Sequence, residues 1–110
     1  MRYLTLVADY TQSPLRDDYI GTVVPEEIGL SWELGAQLRE WNDRYRAIMP
    51  LDPADRASAP ASDLIDVLDD EGLNLADLVS SSLQDVKVRY YSEGRLRFLS
   101  SGDRKHAEDE

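Results

Sequence analysis

The chain has 110 residues with 22 acidic and 12 basic side chains, a formal net charge of -10 and no cysteine. That length suits one domain, and the lack of thiols excludes disulfides, thiolate metal sites and a cysteine nucleophile, in keeping with a reducing cytoplasm. A field of this sign repels nucleic-acid phosphates and favours basic protein partners, so direct nucleic-acid binding is not expected.

Residues 2–10 read as a strand. Leu4, Leu6 and Ala8 alternate with Tyr3, Thr5 and Val7, both sets suited to a central position. No basic region precedes an apolar run here, so no secretory signal is expected, and no apolar stretch approaches the length of a membrane span. Ser13-Pro14 breaks the strand. Residues 15–29 read as an extended connection with room for a short strand at 21–24.

Ser31 is a good N-cap, and Leu34, Leu38, Trp41, Tyr45 and Ile48 follow at helical spacing, giving an amphipathic helix that ends by Pro50. Residues 51–61 hold Pro53 and Pro60 and read as a loop. A second helix starts near Ser62 or a turn earlier. Ile65, Leu68, Gly72, Leu75 and Val79 keep one phase, which favours a continuous helix with Gly72 on its packed face. A break at Gly72, with Asn74 as a new N-cap, is the competing reading.

Residues 86–99 carry a hairpin signal. A three-residue loop at Ser92-Glu93-Gly94 would set Tyr90 opposite Leu96 and Val88 opposite Phe98 on one face. Lys87, Arg89, Arg95 and Arg97 would share the other face with Tyr91, either as an outer sheet face paired to carboxylates such as Asp9 or as an exposed edge protected by charge. The expected fold is α+β: a two-layer sandwich of three mainly antiparallel strands, with two helices on one face, in the order β-α-α-β-β. It spans residues 1–100, and residues 101–110 read as a disordered acidic tail.

Catalytic chemistry finds few residues. The one histidine, His106, falls in the tail, the glycines are isolated, and no run of oxygen ligands makes a cation loop. No enzyme activity, cofactor or metal is expected. The charge is uneven instead. Residues 1–85 hold 17 acids and 6 bases, and residues 86–100 hold 1 acid and 4 bases. Residues 60–85 contain no base at all, although helices usually mix signs for i,i+4 pairing. Asp63, Asp66 and Asp70 share a stripe there, with Asp69, Glu71 and Asp77 beside it, as a candidate docking surface for a basic protein. Trp32 lies off the core stripe of the first helix and is a candidate anchor at the same kind of interface.

Several segments are familiar together: Val7-Ala8-Asp9-Tyr10 with Pro14, Val24-Pro25-Glu26-Glu27-Ile28-Gly29-Leu30-Ser31, the pattern Leu34, Leu38, Trp41-Asn42, Tyr45, and residues 86–94. The chain resembles the small acidic immunity proteins of contact-dependent growth inhibition and related polymorphic toxin systems. The resemblance implies a cytoplasmic inhibitor, monomeric or weakly dimeric alone, that binds a cognate toxin domain. A basic RNase or DNase, covered at or beside its active site, is the expected target. The alternative is a regulatory, adaptor or DNA-mimic protein that binds a host protein.

Overall fold

The computed structural model describes residues 1–10 and 13–103. The alternating segment forms strand β1 (Arg2–Leu6), followed by two short strands, β2 (Leu15–Asp17) and β3 (Gly21–Thr22). Helix α1 (Trp32–Tyr45), a short α2 (Pro53–Ala57) and a long α3 (Ala59–Ser82) come next, then β4 (Val86–Ser92) and β5 (Arg97–Leu99). The five strands form one mixed sheet in the order β3-β2-β1-β4-β5, with β1 and β4 parallel and the other pairs antiparallel. The class is α+β as expected, but the sheet has five strands rather than three, and the helices number three rather than two.

The differences have local causes. β2 and β3 are too short to show alternation. They are made by a tight turn in which the Asp17 carboxylate accepts the amides of Tyr19 (2.8 Å) and Ile20 (3.3 Å), and Gly21 supplies a φ of 94°. The expected loop at 51–61 contains α2 because Asp52 caps it, accepting from the Asp55 amide at 2.8 Å, with Pro53 at its start.

The two main helical stripes fall where their spacing put them. Leu34, Leu38, Trp41 and Tyr45, and Ile65, Leu68, Leu75 and Val79, are all buried against Leu4, Leu6, Leu15 and Tyr90 of the sheet, and Ile48 is buried in the turn that follows α1, which ends at Tyr45 rather than reaching Pro50. α1 begins at Ser31, whose hydroxyl accepts the Leu34 amide at 3.0 Å. Ser31→Ala is expected to cost about 1 kcal/mol in chemical denaturation, through loss of that cap.

α3 is continuous through Gly72. A Cβ there would strike the Tyr90 ring, 2.6 Å from Cζ and 2.8 Å from Oη. The glycine therefore holds its place by close approach, and no break forms.

The hairpin differs most. Its register pairs Tyr90 with Leu99, Tyr91 with Phe98 and Ser92 with Arg97. Tyr90 is therefore not opposite Leu96, nor Val88 opposite Phe98. The loop lengthens to residues 93–96, with Leu96 in the left-handed region at φ 59°. The cause lies in the core: Tyr45 Oη accepts the Gly94 amide (2.8 Å) and Ser92 Oγ the Arg95 amide (2.9 Å), fastening the turn to α1. Gly94 is needed for approach, since a Cβ would meet Ile65 at 2.8 Å and Tyr45 Oη at 2.9 Å. Leu96 and Phe98 leave the core and are exposed. Of the expected tail, Ser101–Asp103 forms one 3-10 turn, and residues 104–110 with His106 lie outside the described residues.

Candidate interaction surfaces

α3 carries the acidic stripe, and the fold deals with its members in three ways. Asp63 and Asp77 are on the exposed side. Asp66 meets Arg95 of the hairpin at 2.6 Å, and Glu71 meets Arg44 of α1 at 2.7 Å. Asp69 and Asp70 are buried, at 4% and 8% exposure, and so lie beneath any docking surface rather than on it. The helix without bases is answered from outside, by α1 and by the basic hairpin. Among the described residues, the two charge anomalies of the sequence meet in one ion pair, Arg95 with Asp66.

Asp69 is the centre of a buried polar network. Oδ1 accepts from Tyr90 Oη (2.6 Å) and Tyr45 Oη (2.9 Å), and Oδ2 accepts from Ser92 Oγ (2.8 Å). Burial pushes its carboxyl above the usual carboxylate range, an effect opposed by the three hydroxyl donors and by Arg95. The same burial, with Asp69 adjacent, pushes both tyrosine hydroxyls upward, so they stay protonated donors. Helix periodicity alone had put Asp69 beside an outer stripe. The signal that could have found it was Tyr45 and Tyr90, two hydroxyls on faces otherwise assigned to the core, whereas Ser92 falls in the expected hairpin loop.

The helices cover one face of the sheet and leave the other open. Tyr3, Thr5 and Val7 of β1, Arg16 of β2, Lys87, Arg89 and Tyr91 of β4 and Phe98 of β5 share the open face by register. Arg89 lies over the Phe98 ring, 4.3 Å from its centroid, and pairs with Asp18 at 3.2 Å. Asp18 is held in turn by the Thr5 hydroxyl at 2.9 Å. Tyr91 meets Phe98 edge-on at 5.0 Å. An open hollow of about 740 Å³ lies here, bounded by Thr5, Val7, Arg16, Arg89, Tyr91 and Phe98 among others.

Asp9 does not pair with the hairpin bases. Its backbone exchanges two hydrogen bonds with the Asn42 side chain, at 2.8 and 2.9 Å, tying the chain after β1 to α1. Arg95 and Arg97 also leave the expected outer set: Arg95 turns inward to Asp66 and Ser62, and Arg97 reaches Asp103 at 4.0 Å. Trp32, at the first turn of α1, is 71% exposed.

Among the described residues no group of three or more His, Asp or Glu is placed to hold a metal ion. Nor, among the described residues, is any helix long and apolar enough to cross a membrane. What the molecule presents is contact chemistry: aromatic rings, guanidinium groups and carboxylates on the two sides of a small α+β sandwich. The family model described as Serratia CdiI immunity protein-like matches residues 2–93, and the chain belongs to that family of contact-dependent growth inhibition immunity proteins. The match runs from β1 into the hairpin turn and takes in every element but β5 and the last 3-10 turn. No curated protein matches the chain. The general role of such a protein is to neutralise a toxin by binding it.

Proposed function

We propose that this chain acts in the cytoplasm on a nuclease toxin, which it inhibits by binding at or beside the active site. Family membership supports the toxin-binding part. The net charge of -10 supports the nuclease part, because a surface that holds phosphates is basic and an acidic inhibitor complements it.

A contact on the outer side of the helical layer is supported by Trp32, an aromatic left 71% exposed beside Glu33. Exposed Glu40 of α1 and Asp63 and Asp77 of α3 extend this acidic side. Asp66 and Glu71 add charge already shared with Arg95 and Arg44, so they contribute less to it.

Binding kinetics with the purified cognate toxin domain test the reading. Trp32→Ala is expected to raise Kd about 30-fold, mainly through faster dissociation. Joint reversal of Glu33, Asp63 and Asp77 to lysine is expected to slow association about tenfold at low salt, with the difference shrinking as salt screens it. Unchanged kinetics in both variants would remove the helical layer from the interface. A toxin domain that degrades no nucleic acid would remove the nuclease.

A further inference from the structure

The ten Lys and Arg side chains among the described residues are treated unequally. Seven sit in ion pairs with carboxylates: Arg2, Arg39, Arg44, Arg46, Arg89, Arg95 and Arg97. Arg56 is spent on the backbone carbonyls of Met49, Leu51 and Glu93. Arg16 and Lys87 remain, with neither an ion pair nor a hydrogen bond among the described residues, and both are exposed on the open face of the sheet. In a chain of net charge -10, acids to pair with are plentiful. The fold nonetheless leaves the two unmatched cations of the described residues on one face.

Register brings them together. Thr5 lies between Arg16 on one side and Arg89 on the other, and Tyr3 lies beside Lys87. At the usual strand spacing the backbones of Arg16 and Arg89 are about 10 Å apart, a span that one short peptide segment can bridge. Arg89 is already oriented by Phe98 and Asp18, so little side-chain entropy is left to lose when it meets a ligand. Tyr3 and Phe98 add exposed aromatic area, at 42% and 47%. Oriented arginine beside aromatic rings is the composition of a protein-binding hot spot.

We infer that the open face of the sheet is a second interaction surface, on the opposite side of the molecule from Trp32, and that it takes a carboxylate-bearing segment of a protein partner. Charge complementarity decides the chemistry: Arg16, Lys87 and Arg89 outnumber Asp18 and Glu93, and the third carboxylate of the hollow, Asp17, is buried and paired with Arg2. A protein segment is favoured over a nucleic-acid strand by reach. Screening confines the patch's attraction to about 8 Å at physiological salt, enough to hold a short acidic loop. A long polyanion would have to lie along the rest of an acidic surface.

The test uses the full chain, isotopically labelled for NMR, and two probes: a synthetic peptide alternating glutamate with tyrosine and leucine, and an oligothymidine of equal length. The peptide is expected to shift the signals of Thr5, Arg89, Tyr91 and Phe98 while leaving the Trp32 indole unmoved. Arg16→Glu with Lys87→Glu should weaken that binding about tenfold, and both changes fall on exposed side chains without partners, so the fold is retained. A peptide with glutamine in place of glutamate should not bind. Shifts elsewhere, or insensitivity to the double reversal or to the glutamine peptide, would overturn the assignment. Tighter binding of the oligothymidine would overturn it in favour of nucleic acid. None of these outcomes depends on the toxin being a nuclease or on the role of Trp32.

Discussion

Gly72→Val is expected to lower the unfolding free energy by about 3 kcal/mol, since overpacking a filled core costs that much when the neighbours have nowhere to go. Gly72 faces the Tyr90 ring across the α3–sheet interface, with no room for a Cβ. Tyr90 is pinned through Oη to Asp69, and its ring meets Trp41 edge-on at 5.9 Å. Trp41 in turn donates from Nε1 to the Leu68 carbonyl at 2.8 Å, one turn before Gly72 on the same helix. The absent side chain is what lets the Tyr90 ring lie against the helix backbone. Gly72→Ala makes the sharper comparison. On an open helix it would gain about 1 kcal/mol from propensity, so a net loss in denaturant titration measures the clash directly. A gain would show that Tyr90 can retreat.

The second large effect separates the shape of Asp69 from its charge. Asp69→Ala should cost about 3 kcal/mol, because three buried hydroxyl groups lose their acceptor at once. Asp69→Asn should stay within about 1 kcal/mol of the parent at neutral pH. An asparagine oxygen can accept from both tyrosines while its amide donates to Ser92 Oγ, which then donates to Tyr45 Oη, already 3.3 Å away.

The two variants should also differ in pH response. The Asp69 carboxyl is raised in the folded protein by burial. A raised group favours folding fully below its unfolded pKa, and that contribution is lost as pH rises through the folded value. The parent should therefore gain stability on mild acidification between those two values, and Asp69→Asn should lack that gain. Denaturation midpoints across that interval check both. Equal slopes in the two proteins would mean that Asp69 does not titrate there.

Much of the fold could be read directly from the residues. Period decided it for α1, α3, β1 and β4, since burial of one stripe or one alternate set dictates the element. The continuity of α3 through Gly72 followed from phase as well. What escaped was set by contacts between distant residues. β2 and β3 exist because Asp17 organises a turn, which period does not record. The hairpin register was decided by Tyr45 and Ser92 catching turn amides, against the local preference for a glycine bulge.

The candidate surface was legible only in part. Trp32 was singled out correctly as lying off the core stripe. The acidic stripe was visible as composition, but its partners came from α1 and from a hairpin far along the chain. The open sheet face was hidden by the hairpin register: the expected pairing sent Phe98 to the core, whereas the observed one places it under Arg89.

The parallel pairing of β1 with β4 reaches beyond the static picture. Each registered pair from Arg2–Val86 to Leu6–Tyr90 joins residues 84 positions apart in sequence. Closing so long a loop costs entropy before any contact repays it, so the centre of this sheet forms late and folding is slower than in a helical protein of the same length. During synthesis β1 waits for its neighbour until 84 further residues have been added. Toxin binding by a newly translated molecule then waits for β4 to be made and for this closure, a delay that a cell relying on this chain has to cover with molecules made earlier.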